Sequence, residues 1–333
     1  MIRGLPTSIP FTGLDMALPY NINVVIDEPD QDRWNEFHRA GHGAWEQTWA
    51  YGEAMRSLDS VVRRVRVTNE ADETIAIAQI LERGLLGYLG FASCSRGPIW
   101  SPRAQCDSAL RHDCLLAIRK ALRNRLLHVT AFTPEFDDRS TGAGEEYAGF
   151  RQVMTGLSTV VLDLTRPPAQ IRAAMETRWR NRLSHAERHW RGDLNVGSSM
   201  SGLRNLLRLE EQQRSARKFS GLPVALVERF VEATGTTHPS FIMARANQKN
   251  DLQAAMLFVL HADRATYHIG WANEAAKKAN LHNLLLWRSL PALRERGVVE
   301  LDLGVINTRS LPGISRFKLG AGGRAITLPG TYI

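Results

Sequence analysis

The feature that most constrains the fold is a series of strand and helix patterns that occurs twice along the chain. Each copy has an alternating pair of segments typical of an antiparallel hairpin, then a third strand, a long helix and a further strand. The first copy covers residues 60–68, 73–82, 85–91, 106–127 and 128–134. The second covers residues 241–247, 252–262, 265–272, 281–296 and 298–304. This order predicts a duplicated α/β module, with the two copies about 170 residues apart.

Length and composition agree with a duplicated fold. A chain of 333 residues exceeds the size at which a single core usually stops growing, and its hydrophobic content of 44% is typical of folded proteins. Pro6, Pro10 and Pro19 interrupt any regular pattern near the N-terminus. We therefore predict an irregular arm at 1–30, a first domain at 31–155 and a second domain at 156–333.

The charge of the chain is positive and unevenly distributed. The formal net charge is +8, and residues 172–218 alone hold eleven Lys and Arg against five Asp and Glu. Such a segment suits a polyanionic partner, nucleic acid above all. Two solvated helix faces would produce the same composition, so both interpretations stay open.

Cysteine content and hydropathy predict the compartment. The three cysteines contain no C-x-x-C pair, and no apolar run of membrane-spanning or signal-peptide length is present. Neither a disulfide framework nor a zinc site is indicated. We expect a cytoplasmic protein without a metal and without a transmembrane segment.

Residues 165–190 have the spacing of one long amphipathic helix. Thr165 can cap it, and the prolines that follow suit its first turn. Its predicted buried stripe comprises Ile171, Met175, Trp179, Leu183, Ala186 and Trp190. The arginines occupy the other faces and are available to a ligand.

Residues 312–323, PGISRFKLGAGG, place four glycines among cations. Glycine lets the backbone approach an anion closely, so Gly320, Gly322 and Gly323 are candidates for backbone clearance beside a ligand. The segment lacks the pattern of a Walker or Rossmann loop, and no helix is expected after it. A plain glycine-rich turn joining two edge strands is the alternative.

Several separated motifs, taken in order, resemble the FemAB family of peptidoglycan-bridge aminoacyltransferases. They are WEQTWAYGEA, RGPIW, LDL before an R-x-R-x-R helix, YHIGWA, ANLHNLLLW, LDLGVI and PGISRFKLGAGG. The resemblance spans roughly residues 34–332. It implies two tandem GNAT-like acyltransferase domains with mixed sheets, and it implies transfer of an amino acid from aminoacyl-tRNA to an amine. A peptidoglycan precursor is the usual acceptor in that family, and no cofactor is implied beyond the donor substrate.

The resemblance also implies site residues. The family's phenylalanine and lysine pair matches Phe317 and Lys318, which would lie at the tRNA acceptor end and stabilise charge at the ester. Arg56, Arg178, Arg182 and Tyr267 fall near family contacts to an anionic acceptor. We further expect Arg316 and Arg324 to bind phosphate, and Arg180 and Arg188 to follow the tRNA backbone.

Two other functions stay open at this point. An N-acyltransferase that uses acyl-CoA has a [QR]-x-x-G-x-[GA] turn between a strand and a helix, and the nearest match, at Arg316, has its glycine one place late. A nucleic-acid binding module would explain the charge but not the duplicated architecture. The sequence leaves open the amino acid, the acceptor and the oligomeric state.

Overall fold

The structure is a computed structural model that describes residues 20–85, 89–122, 127–135, 145–217, 223–235 and 240–333. Residues 1–19 of the predicted arm and Lys218 of the basic segment lie outside these ranges. No described helix combines the length and the apolar composition that crossing a membrane requires.

The first half of the described chain forms a mixed set of short and long elements. They are β1 (Asn23–Ile26), α1 (Gln31–Ala40), α2 (Trp49–Arg56), β2 (Val61–Thr68), β3 (Thr74–Leu85), β4 (Leu89–Ser95), β5 (Ile99–Trp100), α3 (Pro102–Gln105), α4 (Ser108–Ala121), β6 (Leu127–Thr133) and β7 (Gln152–Met154). Short 3₁₀ turns occur at Trp45–Gln47 and Glu145–Tyr147.

The second half repeats this series with additional helices. Its elements are β8 (Ser158–Asp163), α5 (Pro168–Ala174), α6 (Thr177–His189), β9 (Asp193–Gly197), α7 (Met200–Arg217), α8 (Ala225–Thr234), β10 (Phe241–Gln248), β11 (Asp251–His261), β12 (Arg264–Ala272), α9 (Glu274–Lys278), α10 (Leu281–Glu295), β13 (Glu300–Ile306), α11 (Pro312–Leu319), β14 (Arg324–Thr327) and β15 (Thr331–Tyr332).

Two sheets have corresponding strand orders. The first sheet runs β1-β2-β3-β4-β6-β15-β7, with β5 paired to β3, and the second runs β9-β10-β11-β12-β13-β8-β14. In each sheet one neighbouring pair is parallel, β4 with β6 and β12 with β13. A parallel pair needs a crossover, and the crossover helices are α4 and α10. The predicted α/β class with a duplicated module is confirmed.

The largest core cluster lies in the second half, where α6 and α10 cover one face of the sheet. The predicted stripe forms the buried side of α5 and α6: Ile171, Met175, Trp179, Leu183 and Ala186 are at most 3% exposed. Trp190, the last member of the stripe, is only partly buried. Each large apolar side chain buried in this way contributes roughly 1.5–3 kcal/mol to folding.

The predicted single helix at 165–190 is wrong in one respect, because it is two helices. Met175 and Glu176 separate the two helices. The chain is extended at Met175, and the Glu176 N–H donates to the carbonyl of Gly320 at 3.0 Å. This long-range hydrogen bond fixes the break. The α5 helix begins after Pro167, and Thr165 instead forms a local turn with Asp163.

The predicted irregular arm is also wrong for its last described part. Residues Asn23–Ile26 form β1, which pairs antiparallel with Val65–Thr68 of β2. Four residues are too few to show a clear alternating pattern, so this strand depends on its pairing with β2 and was not predictable from its own residues. The third strand, predicted at 85–91, is observed at Leu89–Ser95.

The last strand crosses from one half to the other. The strand β15 lies between β6 and β7 of the first sheet, and the Tyr332 position pairs with Phe132 and Gln152. The predicted division at residue 155 stays a prediction, but the first sheet takes one strand from the end of the chain.

Candidate active site

The segment around Lys318 is a helix, so the alternative of a plain glycine-rich turn between two edge strands is wrong. The α11 helix begins at Pro312, and Gly320 follows as its C-cap. The Ser315 hydroxyl, buried one turn before Lys318, accepts a hydrogen bond from the Asn307 N–H at 3.0 Å. A pattern of few apolar residues and many glycines hid this helix from sequence reasoning.

The glycines after the helix pack against the protein. Gly322 has a φ of +89°, and a Cβ there would lie 3.0 Å from the Ile171 carbonyl oxygen. A Cβ at Gly323 would lie 2.6 Å from the Val161 carbonyl oxygen. The structure therefore gives these residues a packing role against α5 and β8, and backbone clearance for a ligand stays a prediction.

Lys318 is buried beside the place where two parallel strands part. Its ammonium group donates to the Val305 carbonyl at 2.9 Å, and the side chain is 8% exposed as a residue. The strands β12 and β13 pair only at residues 264–266 with 300–302, although they continue to Ala272 and Ile306. By contrast, β4 and β6 stay paired over seven residues. Of the two described parallel pairs, therefore, only β12 and β13 separate and leave an opening between them.

Irregular strands make this opening. The pairing of β13 with β8 shifts between Asp302 and Val305, and that of β12 with β11 shifts next to Tyr267. Gly304 has a φ of +77°, and a Cβ there would lie 3.3 Å from the Lys318 Nζ. A side chain at position 304 would strain the backbone and crowd the ammonium.

Burial tunes the charge of Lys318. Removal of water lowers the pKa of Lys318 to about 8, against an opposing effect from the carboxylate of Asp302. The ammonium lies 5.8 Å from the Tyr267 ring centroid, within range of a cation–π contact. Burial, followed by the nearby Glu210, raises the pKa of Tyr267, so its hydroxyl stays neutral. Lys318 is therefore a buried cation next to the aromatic ring of Tyr267.

Asp302 connects this cluster to the first half of the chain. It accepts hydrogen bonds from the Gly304 N–H at 2.7 Å and from the Arg96 guanidinium at 2.8 Å, and also from Thr159. Burial opposes its ionisation, but Arg96 and these donors hold the pKa of Asp302 below its usual value. Arg96 also pairs with Glu135 at 2.6 Å.

A second arginine extends the same charged network. Arg264 on β12 pairs with Glu300 at 2.7 Å and with Glu135 at 3.2 Å, and it donates to the His42 carbonyl at 2.8 Å. The network thus joins residues 42, 96 and 135 of the first half to β12 and β13. The Arg264–Glu300 pair joins β12 to β13 at the first of their three paired positions.

The sequence reasoning missed Asp302 and Arg96. The available signal was an acidic residue within the otherwise apolar LDLGVI strand. Charged residues are rarely buried unless they are paired, so this position predicted a partner. The identity of that partner, 206 residues away along the chain, could not be read from the sequence.

Phe317 is half-buried, and the protein already covers part of its ring. Its centroid lies 5.9 Å from that of Trp179 and 6.2 Å from that of His282. The Trp179 indole N–H donates to the Phe317 carbonyl at 3.0 Å. Phe317 therefore anchors α11 to α6, and its contact with a tRNA end stays a prediction.

The predicted arginines of α6 occupy two flanks of that helix. At about 100° per residue, Arg178 and Arg182 share one side of the buried Trp179, and Arg180 lies on the other. The Arg180 guanidinium donates to the Ala173 carbonyl at 2.9 Å, and Arg188 donates to the Ser184 carbonyl at 3.2 Å. The separation fits two distinct ligands.

Arg56 is held within the first half. It donates to Glu53 at 2.7 Å and to the Val62 carbonyl at 3.1 Å. Its predicted convergence with Arg178 and Arg182 stays a prediction. Arg316 and Arg324 are both exposed, on α11 and β14.

Within the described ranges, no cluster of His, Cys, Asp and Glu side chains could hold a metal ion. A reaction without metal and without a bound cofactor stays a prediction. Asn280, before α10, has a φ of +58° and makes no side-chain cap. No glycine occurs in residues 273–281, the junction between β12 and α10.

Comparisons with known proteins agree with this fold. A family model described as an acetyltransferase (GNAT) domain matches residues 158–319, and no curated protein sequence matches the chain. The crystal structure of FemX is 13% identical, with a TM-score of 0.76 over 92% of this chain and 96% of that one.

Two further structures are similar at lower scores. L-PGS from Bacillus licheniformis is 13% identical, with a TM-score of 0.55 over 92% of each chain. A tandem GNAT protein from the clavulanic acid biosynthesis pathway is 11% identical, with a TM-score of 0.50 over 94% of this chain and 98% of that one. The chain therefore has the tandem GNAT fold, in the arrangement seen in FemX.

Proposed function

We propose that this protein is an aminoacyltransferase that moves an amino acid from aminoacyl-tRNA to an amine acceptor, forming an amide bond. The observation that carries the proposal is the buried ammonium of Lys318 at the opening between β12 and β13. The FemX-like fold and the positive charge of α6 support the same donor.

The chemistry needs a cation at this position. A neutral amine attacks the ester carbonyl, a C–N bond forms, and the carbonyl oxygen becomes an oxyanion. A fixed cation beside that oxygen lowers the barrier because it need not reorganise. The C–O bond to the ribose then breaks, the ribose oxygen takes a proton, and the new amide nitrogen loses one.

The acceptor is an amine, and we propose an anionic molecule such as a peptidoglycan precursor. Arg178 and Arg182 are exposed on one flank of α6 and form no ion pair with a described residue. Guanidinium groups bind phosphate in bidentate fashion. These two residues are therefore the first candidates for binding such an acceptor.

An acyl-CoA donor is the second candidate, because the matched family model describes an acetyltransferase. A pyrophosphate held at the start of a helix requires close approach of the backbone, usually at glycine. The junction before α10 has none in residues 273–281. This favours the tRNA donor.

A transfer assay separates the two donors. The purified protein is incubated with radiolabelled aminoacyl-tRNAs, and separately with radiolabelled acyl-CoA, in the presence of a panel of amine acceptors. We expect label in amide products from the tRNA donor only, and we expect ribonuclease to abolish it. Transfer from acyl-CoA that survives ribonuclease, with none from tRNA, would contradict the proposal.

Substitution of Lys318 tests its role. Lys318→Met should lower kcat by roughly a hundredfold or more, the scale seen when one oxyanion donor is lost, with a smaller effect on KM. Lys278→Met, a change at an exposed lysine of α9, is the matched control. A fully active Lys318→Met protein with a normal melting temperature would place the catalytic charge elsewhere.

A further inference from the structure

Exposed apolar side chains are concentrated in two short stretches of the described chain. Twelve large apolar residues are exposed, and seven of them lie at 153–157 and 305–319. These seven, which we call the apolar edge, are Val153, Met154, Leu157, Val305, Leu311, Ile314 and Leu319, each between 39% and 61% exposed. Apolar patches of this kind usually mark an interaction surface.

Strand pairing brings the two stretches together. Leu157 directly precedes Ser158, and Ser158 pairs with Ile306, the neighbour of Val305. The Leu157 carbonyl accepts a hydrogen bond from the Leu328 N–H at 2.9 Å, and Met154 pairs with Thr331. The α11 helix, with Ile314 and Leu319, then follows β13. The segments that carry the seven side chains are therefore neighbours in the fold.

In the sequence, the stretches that carry the apolar edge contain basic but no acidic residues. Residues 147–162 and 303–333 contain no Asp or Glu. Arg151, Arg309, Arg316 and Arg324 in these stretches are all exposed. In the fold, the exposed Glu176 lies beside Gly320, but the four arginines outnumber this carboxylate. An apolar surface with an excess of cations suits a partner that is both apolar and anionic.

Three occupants share part of that chemistry, and the residue types distinguish them. Single-stranded RNA is held mainly by stacking on aromatic rings, yet all seven side chains of the apolar edge are aliphatic. A second copy of the chain would bring like charges together across the contact. Aliphatic side chains next to arginines instead suit the boundary between lipid headgroups and acyl chains.

We propose that the apolar edge binds the surface of a bilayer that contains anionic lipids. Leu311, Ile314 and Leu319 enter the acyl boundary, while Arg151 and Arg309 meet the headgroup phosphates. This inference goes beyond the proposed function, because it concerns a partner surface and does not depend on the acyl donor. Since Leu319 follows Lys318 directly, the bound protein would present its site at the membrane surface.

Vesicle flotation with the full chain tests the proposal. We expect the protein to float with phosphatidylcholine vesicles that contain phosphatidylglycerol, and to float much less with phosphatidylcholine alone. Leu311→Ser with Ile314→Ser should lower the partition coefficient by roughly tenfold or more, because two aliphatic side chains no longer enter the bilayer. Arg151→Gln with Arg309→Gln should lower it by roughly tenfold on anionic vesicles only.

Matched variants and other partners complete the test. Ile26→Ser with Val61→Ser, which changes two exposed aliphatic residues of β1 and β2, should leave flotation unchanged. Circular dichroism checks that each variant folds. Absence of flotation in the wild-type protein would overturn the proposal. The proposal would also be overturned if Leu311→Ser with Ile314→Ser left flotation unchanged but lowered the affinity for tRNA. Loss of a concentration-dependent dimer in that variant, with flotation unchanged, would overturn it as well.

Discussion

The ammonium group of Lys318 is buried in the folded protein, so its protonation is coupled to folding. In the unfolded chain its pKa is near the usual 10.5, whereas burial lowers the pKa of Lys318 in the folded protein to about 8. Between these values the unfolded chain binds more protons than the folded one. The free energy of unfolding therefore rises as pH increases through this window.

The pH dependence of the free energy of unfolding tests the lowered pKa of Lys318. At pH 7 the Lys318→Met variant should be more stable than the wild type, by at most about 3 kcal/mol, because it removes a buried charge. The difference should narrow from pH 8 upward and be smallest above pH 10.5. Urea denaturation of both proteins across this range gives the comparison, in which other titrating groups cancel. Parallel curves would contradict a lowered pKa.

The residue-level part of the site was predictable only through ordered motifs. The resemblance singled out Phe317, Lys318 and Tyr267, and the structure brings Lys318 and Tyr267 into contact range. Burial of Lys318 was not predictable, because it depends on Val305 and Gly304 on another strand. Two partners of Asp302, Thr159 and Arg96, lie farther away still, at 143 and 206 residues along the chain.

Among the elements, α6 carries the arginines that are predicted to bind ligands. Its buried side is fixed by Trp179 and Leu183, so its arginines must point to the flanks and to solvent. The hydrophobic spacing predicted this side correctly. It did not predict the break at Met175, because the bond from Glu176 to Gly320 forms only after the chain has folded back.

Salt dependence tests α6 as a tRNA surface. Arg180→Glu with Arg188→Glu should weaken tRNA binding and reduce the slope of log affinity against log salt by about 2, because two phosphate contacts are lost. Arg39→Glu with Arg119→Glu, which changes two exposed arginines of the first half, is the control with the same charge change. Equal dissociation constants and slopes for the two double variants would remove α6 from the tRNA footprint.

At the scale of the whole molecule, the two halves are joined by buried charge. Arg96 lies between Glu135 and Asp302 and compensates both carboxylates, and Glu135 also pairs with Arg264. The duplication was readable from repeated hydrophobic patterns. The network was not, because single charges at the ends of strands give no periodic signal.

Removal of Arg96 should therefore destabilise the protein strongly. Arg96→Met leaves Asp302 without its guanidinium partner and leaves Glu135 with Arg264 alone, and we expect a loss of about 3–5 kcal/mol in the free energy of unfolding. Arg229→Met, which breaks the exposed pair with Glu232, should cost less than about 1 kcal/mol. Urea denaturation measures both. A similar small loss in the two variants would mean that the network adds little to stability.

The position of β15 has a consequence for the order in which the chain folds during synthesis. Domains usually fold from the N-terminus as they leave the ribosome. Here β7 joins the first sheet only through β15, and the Arg151 and Ile333 backbones exchange hydrogen bonds of 2.9 and 3.0 Å. The first sheet must wait, with the edge of β6 open, until residues 331–333 have been made. Nascent chains that stall before this point present an unpaired strand edge, and such edges are where aggregation and chaperone binding begin.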